Sequence, residues 1–248
     1  MTQSSTAVPL PPPTLRFMNE DDERFLAIGR EFVRHLERWQ LTDDSAVLDV
    51  GSGYGRLAVA LLRERSFRGR YEGFDLLPRH VAWCAEHLTA VAPNVRFTHV
   101  DLYSPRYNPR GAVEPATLTF PYGSETFTHA AVVSVFTHMF ADDIDHYLAE
   151  LRRTLRPDGV VVSTFFLFDD DRRASVMSPT CPLPMQTALD ATTLVHNPDD
   201  PLHAIGFHRA RVEAHARAAG FEVIEVRLGS WCGEPSANYQ DVVVLRRS

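Results

Sequence analysis

The strongest constraint in this sequence is the passage Val47-Leu48-Asp49-Val50-Gly51-Ser52-Gly53-Tyr54-Gly55. An apolar strand at Ala46–Val50 runs into three glycines in five positions, and a helix is predicted from about 56 to 65. Glycine lets the backbone turn sharply and come close to a ligand or a neighbouring strand. The spacing is G-x-G-x-G, with Arg56 where a dinucleotide fingerprint carries its last glycine. A dehydrogenase uses that glycine for close helix–sheet contact and lays its pyrophosphate on the helix terminus. The tighter spacing suits a ligand without phosphates.

Strands and helices alternate around this unit. A helix at about 21–40 sets Phe25, Ile28, Phe32, Leu36 and Trp39 at three- and four-residue steps. Strands are predicted at Tyr71–Asp75, Val95–Val100, Ala130–Ser134 and Val160–Phe166. Helices are predicted near 78–91 and through Ile144 to Leu155, the second N-capped by Asp142. A helix at about 207–219 stops at Gly220, a natural C′ residue, and Phe221–Leu228 and Tyr239–Leu245 form a final strand pair. This alternation implies an α/β fold with a mostly parallel sheet, whose ligands bind beyond the C-terminal strand ends.

Residues 1–15 read as a mobile Pro-rich tail and 16–248 as a single domain. Two connections, 102–127 and 167–206, are long for a compact domain. The second is expected to be a lid or acceptor-binding insertion.

Two further strand ends carry acidic residues. Asp75 closes the second strand, 20 residues after Gly55, where a carboxylate accepts hydrogen bonds from ribose hydroxyls. Asp101-Leu102 follows the third strand and offers an acidic side chain and a backbone amide, suited to an adenine edge.

Composition excludes several chemistries. All 25 basic residues are arginine. Without lysine there is no Schiff-base or pyridoxal-phosphate enzyme, no P-loop and no protein kinase. A net charge of −7 gives no broad footprint for nucleic acid. Cys84, Cys181 and Cys232 are too widely spaced for a disulfide framework and fit a reducing cytoplasm. The N-terminus lacks a signal-peptide layout, and no apolar stretch is long enough for a membrane span.

On the glycine turn and the two acidic strand ends, the chain resembles the class I S-adenosylmethionine-dependent methyltransferases from about residue 16 onward. It resembles in particular bacterial polysaccharide and natural-product (sugar) O-methyltransferases. That likeness rests on Tyr107-Asn108-Pro109, Phe120-Pro121-Tyr122, Ser134-Val135-Phe136-Thr137-His138-Met139, Leu155-Arg156-Pro157-Asp158-Gly159, Gly229-Ser230-Trp231-Cys232-Gly233 and Tyr239-Gln240-Asp241. The family usually has a second glycine at the place of Asp158.

The resemblance implies a Rossmann-like fold with a seven-stranded sheet, an antiparallel last strand and helices on both faces. It implies S-adenosyl-L-methionine as cofactor. Gly51, Ser52, Gly53 and Gly55 would lie at the methionine part, with Asp49 orienting its amino group. Asp75 would hold the ribose, Leu76 would pack on adenine, and Asp101 with the Leu102 amide would read the adenine edge. Ser134 would offer its carbonyl to the methionine amino group.

The implied reaction is in-line displacement at a sulfonium methyl, where positioning supplies much of the catalysis. A sugar hydroxyl is a weak nucleophile and gains from a general base. His138 is the first candidate, ahead of His208, Glu213 and Tyr239. Tyr54, Phe136, Thr137, His208, Trp231 and Tyr239 are candidates for the acceptor side, and Trp231 either stacks on a sugar or plugs the sheet end.

Asp142, Asp143 and Asp169–Asp171 offer oxygens to a magnesium ion, although a helix cap and a solvated acidic loop account for them more simply. The alternatives are a non-sugar small-molecule methyltransferase, a non-catalytic cofactor-binding module and a small-molecule dehydrogenase. A homodimer is compatible with the sequence.

Overall fold

A computed structural model describes residues 8–16 and 21–248. The chain divides into two compact units, residues 1–101 with 127–131, and residues 102–126 with 132–248. No helix among the described residues is long and apolar enough to cross a membrane.

The first unit contains α1 (Asp22–Arg38), β1 (Val47–Val50), α2 (Arg56–Glu64), β2 (Tyr71–Asp75), α3 (Pro78–Cys84), β3 (Val95–His99) and most of β4 (Phe127–Val132). Its strands run in the order β3-β2-β1-β4, with β1–β2 and β2–β3 parallel. All four residues of β1 and all five of β2 are buried, as in a parallel sheet covered on both faces. Asp21 caps α1 by accepting from the Arg24 amide at 2.8 Å. After Cys84 the helix continues as a π-helical turn, Ala85–Thr89.

The strand β4 begins three residues earlier than its apolar pattern suggests. Thr128 and His129 read as polar interruptions, yet both are satisfied inside this unit. Thr128 Oγ1 donates to the Ala46 carbonyl at 3.0 Å, and His129 Nε2 lies 2.9 Å from the Trp39 carbonyl. The first part of the expected tail, residues 1–7, lies outside the described residues. Val8 and Pro11, within the rest of that tail, make contacts with residues further along the chain. Arg63 Nη2 donates to the Val8 carbonyl at 2.5 Å, and buried Arg16 donates through Nε to the Pro11 carbonyl at 2.7 Å.

The second unit contains α4 (Ala141–Thr154), β5 (Leu155–Phe168), α5 (Arg173–Met177), β6 (Thr187–Asp190), β7 (Thr193–Val195), β8 (Ile205–His208), α6 (Arg209–Ala218), β9 (Phe221–Arg227) and β10 (Asp241–Arg247). Strand β5 pairs antiparallel with β10, which pairs antiparallel with β9. On its other side β5 pairs in parallel with β8, followed by β7 and β6. The seven strands expected from the sequence are all present, and β6, β7 and β8 are additional. The fold is a mixed α/β, Rossmann-like sheet.

Both long connections are built. In 102–126, Leu102 bridges to Val113, and Glu150 of α4 accepts from the Phe120 amide at 2.7 Å. Arg153 donates to the Tyr122 and Phe120 carbonyls at 2.8 and 3.0 Å. The segment 167–206 carries the β6–β7 hairpin and packs Val176, Cys181, Met185, Leu194 and Ala204 into one cluster with Phe166 and Trp231. The N-cap of α4 is Phe140, without a side-chain cap bond, so Asp142 is not the cap; it lies with Asp143 in the first turn, where the helix dipole favours acids. Gly220 does follow α6 with φ +80°.

Gly73, in the middle of β2, makes room for the glycine turn. A Cβ there would stand 2.7 Å from Ser52 Cβ and 3.0 Å from Phe97 Cδ1. Overpacking of this kind costs roughly 1–3 kcal/mol. Gly73→Ala is therefore expected to lower the melting temperature by about 3–8 °C. An unchanged thermal melt would contradict this account of the turn.

Candidate active site

The turn after β1 is docked on the end of β2. The amides of Gly51 and Ser52 both donate to the Phe74 carbonyl at 3.0 Å, and the Gly55 amide donates to the Ser52 carbonyl at 2.9 Å. Gly51, Gly53 and Gly55 have φ of 70°, 52° and 71°, a region that favours glycine. At Gly55 packing adds a second demand, since a Cβ would meet Leu88 Cδ1 at 2.6 Å.

Asp75 ties this turn to the next one. Its Oδ2 accepts from the Gly53 amide at 2.9 Å and its Oδ1 from the Leu77 amide at 2.8 Å. Burial raises its carboxyl above the ordinary range, with the Leu77 and Gly53 amides opposing. Asp49 is deeper. Burial pushes its carboxyl up to about 7, although the Tyr71 hydroxyl donates to its Oδ2. Ser52 is 6% exposed, and its buried Oγ has no protein partner.

Tyr54, a candidate for the acceptor side, is buried. It is 4% exposed, with its ring 3.6 Å from that of His80, which is wholly buried. Burial pulls His80 down to about 4, so the ring is neutral. Its Nδ1 lies 3.7 Å from Asp75 Oδ1. Leu76 is half-buried, and Asp101, at the end of this unit, is exposed.

In the second unit, Leu102 is buried and its carbonyl accepts from Asn108 Nδ2 at 3.0 Å. Ser134 is exposed, with φ of 56°, and its amide donates to Thr164 Oγ1 at 2.7 Å. His138 Nδ1 lies 2.8 Å from the Leu202 carbonyl, and its ring meets Tyr107 edge-on at 5.8 Å. A carbonyl only accepts, so Nδ1 carries the proton and Nε2 the lone pair. Burial lowers the His138 pKa, with the Leu202 and His203 backbones opposing and the charges of Arg106 and His203 adding to the fall.

Several acceptor-side and base candidates are buried or partnered. Phe136 and Thr137 are wholly buried, and Phe136 packs on Phe165. Trp231 is also wholly buried. It lies against Phe166 and donates through Nε1 to Asp241 at 2.8 Å, so it plugs the sheet end and presents no face to a sugar. His208 accepts from the Ala210 amide through Nδ1 and caps α6. Glu213 is paired with Arg209 at 2.7 Å. Tyr239 alone among these aromatic candidates is exposed, at 56%. Among the described residues no group of three or more His, Cys, Asp and Glu is placed to hold a metal ion.

From the sequence, no site role was expected for Tyr71, His80, Thr164 or Gln240. Tyr71 pairs with Val47, two residues before Asp49, so it shares a face with that aspartate. Strand alternation would have found it once the register was known.

The mixed α/β, Rossmann-like sheet is consistent with the class I methyltransferase fold. Residues 47–159 match the family described as a methyltransferase domain. Solved structures are similar over most of their length. The PH0226 protein of Pyrococcus horikoshii OT3 is 17% identical with a TM-score of 0.60, covering 95% of this chain and 96% of that one. The 1,6-didemethyltoxoflavin-N1-methyltransferase of Burkholderia thailandensis, solved with its substrate and S-adenosylhomocysteine, is 21% identical with a TM-score of 0.56, covering 92% and 80%. The [4+2]-cyclase SpnF is 17% identical with a TM-score of 0.57, covering 88% and 80%. These likenesses establish the fold, and the cyclase shows that the fold alone does not choose the reaction.

The buried Asp49 carboxyl yields a test. Its pKa in the folded protein lies above that of the unfolded chain, so ionising it costs stability as pH rises toward about 7. Asp49→Asn keeps an acceptor for Tyr71 and removes the charge. It is expected to raise the melting temperature at about pH 8 by several degrees, with the gain shrinking toward pH 4. An equal gain at both pH values would count against a buried, ionisable Asp49.

Proposed function

We propose that this enzyme methylates a hydroxyl of a sugar or oligosaccharide, in the assembly of a glycan or glycosylated metabolite, with His138 as general base. The observation that carries the assignment is the His138–Leu202 hydrogen bond. It leaves the lone pair on Nε2, and burial keeps the ring neutral, the form a base needs. Leu202 belongs to the 167–206 segment, which supports reading that segment as an acceptor-binding insertion. The exposed ring of Tyr239 would offer a stacking surface to a sugar.

The residues of the first unit fit the cofactor. Ser52 Oγ, buried without a protein partner, would bond it, and a carboxylate offers about four lone-pair positions, so Asp75 retains capacity for ribose hydroxyls. Gly51, Gly53 and Gly55 would border the methionine part, with Asp49 and the Ser134 carbonyl toward its amino group. Leu76, Asp101 and the Leu102 amide would take the adenine. When bound, S-adenosylmethionine supplies an activated methyl group with a neutral leaving group. His138 would then accept the proton of the acceptor hydroxyl.

A second reading, a non-sugar small-molecule acceptor, draws on the similar enzyme that methylates 1,6-didemethyltoxoflavin. Methyl transfer to a panel of oligosaccharides and small heterocycles separates the two. Transfer to heterocycles alone would remove the sugar reading. The three free cysteines favour a reducing, cytoplasmic location.

His138→Ala is expected to lower kcat by about 100-fold with little change in S-adenosylhomocysteine affinity. Full turnover in that variant would place the base elsewhere. The acid limb of the kcat–pH profile should fall below the ordinary histidine value of about 6.5, because burial lowers this pKa. Asp75→Ala is expected to weaken S-adenosylhomocysteine binding by more than about tenfold in calorimetry, the loss of a charge-assisted bond.

A further inference from the structure

We propose that Thr164 and Gln240 are positioning residues that lock Ser134 in its left-handed backbone and so fix the Ser134 carbonyl for the amino group of the cofactor's methionine end. The inference rests on the cofactor reading above and assigns it two residues outside the glycine turn.

Four non-glycine residues among those described have positive φ: Gln40, Glu125, Ser134 and Asp158. Gln40 follows the end of α1, Glu125 precedes β4, and Asp158 lies near the start of β5. Ser134 differs in following the C-terminal end of a strand, the place where such sheets bind ligands. Serine has neither the freedom of glycine nor the aptitude of asparagine for this region. A residue held there persists only when its surroundings over-determine it, and such residues cluster at functional sites.

The over-determination has two parts. The Ser134 amide donates to Thr164 Oγ1 at 2.7 Å, and Ser134 Oγ donates to Gln240 Oε1 at 2.9 Å. Thr164 is wholly buried in β5, opposite Val242 of β10. Gln240 immediately precedes Asp241, whose carboxylate is anchored by the Leu167 amide at 2.5 Å, the Gly229 amide at 2.6 Å and Trp231 Nε1 at 2.8 Å. Of the two groups that hold Ser134, Thr164 is thus carried by β5, and Gln240 lies immediately before β10 beside the anchored Asp241. The φ and ψ of a residue set the direction of its carbonyl, so a lock on the backbone is a lock on that acceptor.

A bond that only stabilised the turn would affect every ligand alike, whereas this one should matter only to ligands with an amino-acid end. The test uses calorimetry on the full chain with S-adenosylhomocysteine and with 5′-methylthioadenosine, which keeps the nucleoside and lacks the amino acid. Thr164→Val is expected to weaken S-adenosylhomocysteine about tenfold, or about 1.4 kcal/mol, and to leave methylthioadenosine within about twofold. Thr164→Ser should restore wild-type binding, and Gln240→Leu should show the same selectivity with a loss of about threefold. Equal weakening of both ligands, or no weakening of S-adenosylhomocysteine in either Thr164→Val or Gln240→Leu, overturns the inference while leaving the cofactor reading in place. A wild-type chain that binds neither ligand overturns both.

Discussion

The first unit depends on how the glycine turn sits on the end of β2. Two consecutive amides converge on the Phe74 carbonyl, and a third donates to Asp75. This arrangement needs left-handed backbone in the turn and an absent side chain at Gly73. It also recruits α3 and the π-helical turn after it, because Cys84 and Leu88 fill the space a Cβ on Gly55 would take. Backbone geometry, strand spacing and helix packing all converge on the same few residues. One acidic side chain, Asp75, spans two turns through the Gly53 and Leu77 amides.

A buried carboxylate has the corresponding role in the second unit. Asp241 is fully buried, and burial raises its pKa while the Gly229 and Leu167 amides and the Trp231 indole oppose that rise. A buried carboxylate is tolerated when its lone pairs are filled by donors. Here the donors come from β5 and from the loop before β10, so one side chain sets the register of that strand pair and the depth of Trp231. Ser134 and Tyr239 are positioned next to this anchor in sequence or through hydrogen bonds, which connects a structural centre to the residues assigned to chemistry.

Much of this was readable in the sequence, and the failures have physical causes. The order of strands and helices, the glycine turn and the end of α6 at Gly220 followed from local pattern and backbone preference. The strand β4 was misplaced because Thr128 and His129 are buried with partners contributed by Ala46 and Trp39, far away in sequence. The 167–206 stretch looked irregular because its strands are short and prolines precede β6 and separate β7 from β8, yet hydrophobic side chains spaced along it share one cluster. Trp231, Phe136 and Thr137 looked available as loop residues and proved to be buried. An aromatic residue in a glycine-rich loop carries no local signal of which way it faces.

What the sequence determined by itself was the kind of fold and the chemistry on offer. Three glycines after a strand dictate a tight turn, aspartates at the strand ends supply acceptors, and the absence of lysine leaves histidine, carboxylate or a metal to activate an acceptor. Tertiary structure decided how those groups are placed and partnered. It gave His138 its tautomer through a carbonyl 64 residues away, and it turned His208 into a helix cap and Trp231 into a plug. It also held Ser134 in a backbone conformation that serine does not favour. The division has a simple origin. Turn geometry and charge are properties of neighbouring residues, whereas tautomer, burial and backbone strain depend on partners brought close only when the chain has folded.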